Sequence, residues 1–182
     1  MRPQEIGNVI GSAIQRGPQA LASALERLGG DGAFPSSIFT PPRADRYTRK
    51  LIYEDPQGAF VVIACTWAPG QVSGLHDHHG YVGAEMVVSG VMEETAYDLK
   101  ACDNDGLYRF MRGRTRIANK GAIGTIVPPQ EFHDFGNPGT EPALTLHVYG
   151  GNLVQCRVFA SADEKEMWRA KPVRLSYDCK EE

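Results

Sequence analysis

The sequence predicts an all-β fold, an antiparallel double-sheet jelly roll built as a barrel or sandwich, preceded by two N-terminal helices. Three observations predict it. Short apolar runs rich in Val, Ile, Tyr and Phe recur from Tyr47 to Tyr177. Clusters of Gly, Pro, Asn and Asp separate them at short intervals. Helical spacing is confined to the segment before Asp31. Many short strands divided by turn residues argue for packed antiparallel sheets, not a parallel sheet wrapped by helices.

Taken in order, Ile6, Val9, Ile10, Ala13 and Ile14 carry a helical period, which Gly17 interrupts. Pro18 suits the first turn of a second helix, in which Leu21, Leu25 and Leu28 repeat at helical spacing. Gly29-Gly30 is read as its stop. A turn-rich linker with Pro35, Pro41 and Pro42 runs from Asp31 to Arg43. These features divide the chain into helices and linker (1–43), packing on a β domain (44–182). Strands are expected at Arg49–Tyr53, Phe60–Trp67, Tyr81–Met92 (broken at Gly90) and Glu94–Leu99. Leu107–Met111 and Arg116–Ala118 follow as separate strands with Arg112-Gly113 as a turn. Ile123–Val127, Ala143–Tyr149, Val154–Phe159 and Val173–Tyr177 complete the set. The run from Phe60 to Trp67 is nearly continuous in apolar residues and reads as a strand buried on both faces.

Bulk properties exclude several function classes. The net charge is −3 over 182 residues, with no domain-wide basic excess to draw a nucleic acid. Arg109, Arg112, Arg114 and Arg116 bracket an expected hairpin and read as a solvated patch. No apolar run is long enough to span a membrane, and no secretory pattern opens the chain. Cys65, Cys102, Cys156 and Cys179 are scattered without CxxC spacing and read as free thiols, so a cytoplasmic location is expected.

The chemistry concentrates in Gly70-Gln71-Val72-Ser73-Gly74-Leu75-His76-Asp77-His78-His79-Gly80. Three of the five histidines fall within these residues. On a strand, His76 and His78 would point to one face and His79 to the other. Two imidazoles on one face make half of a metal site. The plain alternative is a polar loop. His133, in Val127-Pro128-Pro129-Gln130-Glu131-Phe132-His133-Asp134-Phe135-Gly136-Asn137, offers a third ligand from an expected loop after a proline corner. Glu85 has the strand parity of Gly83, two residues before it, and could in principle reach the ion. If it stays out, three neutral imidazoles leave the full charge of a divalent metal, which welcomes a thiolate and a carboxylate. Ligand identity alone does not separate iron from zinc. Thr145, His147 and Tyr149 alternate along Ala143–Tyr149 and share one face, with Leu144, Leu146 and Val148 on the other.

Gly70, His76, His78 and Gly90 resemble the first cupin motif, and Pro128 to Asn137 resembles the second. The glutamate of the first motif would fall on Gly83. Further pieces resemble the cysteine dioxygenase-like thiol dioxygenases. Tyr47-Thr48-Arg49-Lys50-Leu51 is similar to their substrate-carboxylate arginine segment. His76, His78 and His133 are similar to their iron ligands. Thr145-x-His147-x-Tyr149 is similar to their Ser-His-Tyr row, with Thr for Ser. The resemblance, from Tyr47 to Tyr149, implies Fe(II), a small thiol substrate and O2, with sulfinate as product and neither nucleic acid nor membrane as partner. Arg49 and Tyr47 would bind substrate; Thr145, His147 and Tyr149 would serve catalysis. Gly83 stands where animal members carry a cysteine cross-linked to the tyrosine, which implies an unmodified Tyr149. Arginine at 49 differs from the glutamine usual in 3-mercaptopropionate enzymes. As a whole chain, the sequence resembles the bacterial mercaptosuccinate-oxidising members most, with cysteine or 3-mercaptopropionate as alternative substrates. The rivals are a zinc or nickel cupin and a non-catalytic cupin that binds a small acid.

Overall fold

The computed structural model describes residues 2–30, 34–129, 131–162 and 167–180. Helices α1 (Pro3–Ile14) and α2 (Pro18–Gly30) precede a short 3-10 turn, Ser36–Ile38, within the predicted linker. The linker's first residues, 31–33, lie outside the described set. Then come β1 (Thr48–Glu54), β2 (Val61–Trp67), β3 (Gly83–Ser89), β4 (Val91–Cys102), β5 (Leu107–Asn119) and β6 (Ile123–Ile126). β7 (Phe132–Gly136), β8 (Ala143–Tyr149), β9 (Gln155–Ser161), β10 (Met167–Arg174) and β11 (Cys179–Lys180) complete the order. One sheet runs β11-β1-β2-β8-β3-β6 and the other β7-β4-β5-β10-β9. Apart from the β1–β11 pair every ladder is antiparallel. This is the jelly-roll sandwich of the cupin type that the strand pattern predicts.

The first sheet is buried on both faces because it lies between the helices and the second sheet. Ile6, Ile10, Leu21, Leu25 and Leu28 pack with Val62, Ala64, Leu144, Leu146 and Val148 on its outer side. The opposite parity, Ile63, Cys65, Trp67, Val87 and Tyr149, points between the sheets. A third cluster, Leu75, Phe110, Phe132 and Phe159, closes one end of the second sheet. Leu146 is fully buried at the centre of the helix-facing layer. Leu146→Ala should therefore lower the unfolding free energy by about 2–5 kcal/mol. A urea midpoint unmoved at constant m-value would contradict this packing.

The described part of α2 ends at Gly30, where the Gly29-Gly30 stop is expected. Three local expectations change. Arg112-Gly113 is no turn, because β5 passes straight through it. The β4–β5 register shifts between Thr95 and Tyr97, and a Cβ at Gly113 would stand 2.9 Å from Ala96 O. Gly113 thus marks a bulge in a continuous ladder. The strand expected at Val173–Tyr177 is displaced: β10 ends at Arg174. Leu175 and Tyr177 leave the sheet to pack against the inter-sheet cluster. Finally, His133 sits on β7 and not on a loop. No helix of the described residues is long and apolar enough to cross a membrane.

Candidate metal centre

The loop from Gly70 to Gly80 is not the regular strand its alternation suggests, yet it delivers His76 and His78 to one place. Gly74 adopts φ +71°, a left-handed turn that favours glycine. Leu75 beyond it is buried in the aromatic cluster. Asp77 is buried the same way, accepting bonds from Arg157 N and Nε. With Leu75 and Asp77 pinned behind, His76 and His78 face the space between the sheets. An isolated bridge ties His76 to His133, whose backbone amides and carbonyls exchange bonds of 3.0 and 3.3 Å. His79, of opposite parity, is exposed.

The three imidazoles form an even triangle, with ring centroids 4.8 Å apart in every pair. Their candidate ligand atoms lie within 4.8 Å of one another. Each Nδ1 is engaged from behind. Gly74 O stands 3.0 Å from His76 Nδ1, Glu131 O 2.8 Å from His78 Nδ1, and Glu94 Oε1 3.3 Å from His133 Nδ1. Oxygen acceptors there place the proton on Nδ1 and leave the Nε2 lone pairs facing inward. The Nε2 atoms of His78 and His133 are buried with no hydrogen-bond partner. Buried polar atoms are rarely left so, and a divalent metal fits them. Burial, reinforced by His133, lowers the His76 pKa to about 4, and His78 is lowered well below its usual value for the same reasons. At neutral pH both are neutral imidazoles, the form a metal binds. Burial works the same way on His133, but Glu85 and Glu94 outweigh it and raise its pKa.

Sheet register assembles the rest. Across β1, β2, β8 and β3 one rung reads Arg49, Cys65, Thr145, Val87. The next reads Leu51, Ile63, His147, Glu85. Trp67 Nε1 donates to Thr145 Oγ1 at 2.9 Å, and Thr145 Oγ1 is 2.7 Å from His147 Nε2. His147 Nδ1 is 3.0 Å from Tyr149 Oη and 2.8 Å from Glu85 Oε1, to which Tyr149 also donates at 3.1 Å. The predicted face is thus a continuous row, buried throughout, that ends on a carboxylate. Burial alone would raise the Glu85 pKa, but His147 and His133 hold it well below the usual carboxylate range. Burial alone would lower that of His147; Cys65 and Glu85 outweigh it and raise it to about 10. Burial and the Glu85 charge raise the Tyr149 phenol far above its usual value.

A cavity of about 240 Å³ opens onto His76, His133, Glu85 and Tyr149, with Arg49 and Arg174 on its wall. It is smaller than the roughly 300–1,000 Å³ of drug-sized pockets, so it suits a ligand of few atoms. Arg49 is 5% exposed and donates to Leu153 O at 3.0 Å and Ser176 O at 3.4 Å. These carbonyls orient the guanidinium without neutralising it. Tyr47 lines the cavity stacked on Trp67, with ring centroids 4.0 Å apart. Sequence reasoning missed Glu94, Glu131 and Trp67 as supports. The inward parity of Trp67 on β2 was the available signal for one of them; the other two depend on pairings no local pattern reports.

A three-histidine cluster between the sheets of a cupin-type sandwich defines this chain's class. The sequence model of the cysteine dioxygenase type I family matches residues 37–162, and the chain belongs to that family. It is 28% identical over 116 residues to "Cysteine dioxygenase type 1" of Danio rerio, covering 63% of this chain and 56% of that protein. The human protein of the same name is 26% identical over 115 residues, with the same coverage. The match thus spans about half the length of these relatives. Among solved structures, a Klebsiella pneumoniae protein with a double-stranded beta-helix domain aligns at TM-score 0.49 and 23% identity. That alignment covers 66% of this chain and 90% of the other.

Gly83 is fixed by close approach. A Cβ there would stand 2.6 Å from Val148 O and 3.0 Å from Tyr149 Cδ1. With no thiol at 83, intact mass should equal that of the unmodified chain. All four cysteines should alkylate under denaturation without reductant. A two-hydrogen deficit mapped to the Tyr149 peptide would overturn this.

Proposed function

We propose that this chain is a cytoplasmic non-haem Fe(II) thiol dioxygenase, oxidising a small carboxylated thiol and one O2 to the sulfinate, with mercaptosuccinate preferred. One observation carries the reading: the cavity lined by His76 and His133 of the three-histidine group also holds on its wall the guanidinium of Arg49, which pairs with no carboxylate among the described residues. His76, His78 and His133 would hold the iron, which supplies O2 activation and a site for the thiolate. Arg49 binds a substrate carboxylate by a charge-assisted pair. Thr145, His147 and Tyr149 hold protons in a fixed row beside the reacting atoms, so polar groups there need no reorganisation. Trp67, Phe135 and Leu153 on the same wall exclude water. Four free thiols suit a reducing compartment.

Mercaptosuccinate brings two carboxylates, and the wall carries Arg174 besides Arg49. A second reading, cysteine, is favoured by the buried Glu85 carboxylate, which would attract an amine and repel an acid. An oxygen electrode with a thiol panel separates them. One O2 per thiol, with the highest kcat/KM on mercaptosuccinate, is expected. Faster turnover of cysteine or 3-mercaptopropionate would sink the substrate assignment alone. No uptake with any thiol by iron-loaded protein would sink the dioxygenase reading and favour a zinc or nickel cupin, or a small-acid binder.

A further inference from the structure

Arg116 reads from the sequence as part of a solvated patch, yet its guanidinium is committed. Arg116 and Glu94 are direct partners across β5 and β4. Arg116 Nε donates to Glu94 Oε2 at 2.6 Å, and Nη2 stands 2.5 Å from the same oxygen. That leaves Glu94 Oε1 for His133 Nδ1, 3.3 Å away. Sheet register sets this line. On β7, Phe135 lies opposite Glu94 and His133 opposite Ala96, so Glu94 and His133 share a face as diagonal neighbours. Strand β6 leaves room for the pair: a Cβ at Gly124 would stand 2.9 Å from Arg116 Nη2 and 4.0 Å from Glu94 Oε2. The line runs inward from solvent, with side chains 53% exposed at Arg116, 17% at Glu94 and 7% at His133. The outer partners of the three histidines also differ in kind. His76 and His78 meet backbone carbonyls, which the chain itself fixes, whereas His133 meets a side-chain carboxylate that must be held in place.

We propose that Arg116 is a positioning residue for the metal centre, acting through Glu94, which it holds against His133 Nδ1. The proposal rests on reading His76, His78 and His133 as metal ligands. The outer partner of a ligating histidine fixes its ring and raises its basicity. With Oε2 pinned by Arg116, the carboxylate keeps one orientation, and Oε1 keeps the His133 ring turned so that Nε2 faces the triangle. Without Arg116, Glu94 is free to swing toward water and His133 loses its anchor. An exposed ion pair by itself adds little to stability, so the effect belongs at the ion and not in folding. The sign separates positioning from plain electrostatics. Deleting a cation near a divalent ion would by itself tighten metal binding. Deleting a positioning residue weakens it.

Cobalt(II) affinity, measured in competition with a chromophoric chelator, tests this without turnover. Glu94→Gln keeps the size of the side chain and should bind cobalt about 10–100-fold more weakly. Arg116→Gln should lose at least about threefold, a smaller loss than that of the direct partner. Arg116→Lys keeps a cation able to bond Oε2 and should recover most of the loss. In the Glu94→Gln background, Arg116→Gln should weaken binding no further, since the coupling runs through that carboxylate. A smaller loss, no change or tighter binding in Arg116→Gln alone would overturn the proposal while leaving the three-histidine site intact. So would a loss in the Glu94→Gln background equal to that in wild type. Wild-type protein that binds no cobalt would overturn both the proposal and the ligand reading. Should Glu94→Gln fail to fold, the two Arg116 variants decide: recovery with Lys supports the proposal, and no recovery overturns it.

Discussion

His133→Ala is expected to abolish metal retention and oxygen uptake together. The side chain supplies one corner of the imidazole triangle, and its Nε2 has no protein partner to replace. Losing an outer hydrogen-bond partner of a ligand typically costs about 10–100-fold in affinity, and losing the ligand itself should cost more. Because His133 lies on β7, stacked on Phe135 with centroids 5.8 Å apart, the variant should also lose some stability. A destabilisation of about 0.5–3 kcal/mol is expected, with the fold kept. Metal per chain, activity and a urea transition measured on one preparation separate the effects. Full iron occupancy in the folded variant would remove His133 from the ligand set and pass its place to Glu85.

Arg49→Gln should lower kcat/KM for mercaptosuccinate by about tenfold to a hundredfold, the worth of a charge-assisted contact of roughly 1.5–3 kcal/mol. The loss should be much smaller for a thiol with no carboxylate to offer. Glutamine also leaves Leu153 O and Ser176 O without their guanidinium donor, so the thermal midpoint should fall modestly. The comparison between thiols, made at a temperature where the variant is fully folded, separates binding from structure. Equal losses on both substrates would make Arg49 a structural residue.

Much of this arrangement was legible before any coordinates. Two-residue alternation alone put Thr145, His147 and Tyr149 on one face, because strand parity needs no tertiary information. That Glu85 joins this row was not legible, since its pairing with His147 across β3 and β8 is a long-range choice. His76 and His78 were grouped correctly for a partly wrong reason. Their common direction comes from buried Leu75 and Asp77 on a loop, not from a ladder. Glycine marks no strand end at Gly113, which sits in a bulge within β5. That position answers to a neighbour distant in sequence, Ala96.

The central strand β8 is buried along its whole length, with the helical layer on one face and the reactive row on the other. Its amides should therefore be among the slowest to exchange with deuterated solvent, opening only when the entire domain does. Thr145, His147 and Tyr149 inherit that protection. Titration with urea should then extinguish turnover and tertiary signal along one curve, with no inactive but folded species preceding the main transition.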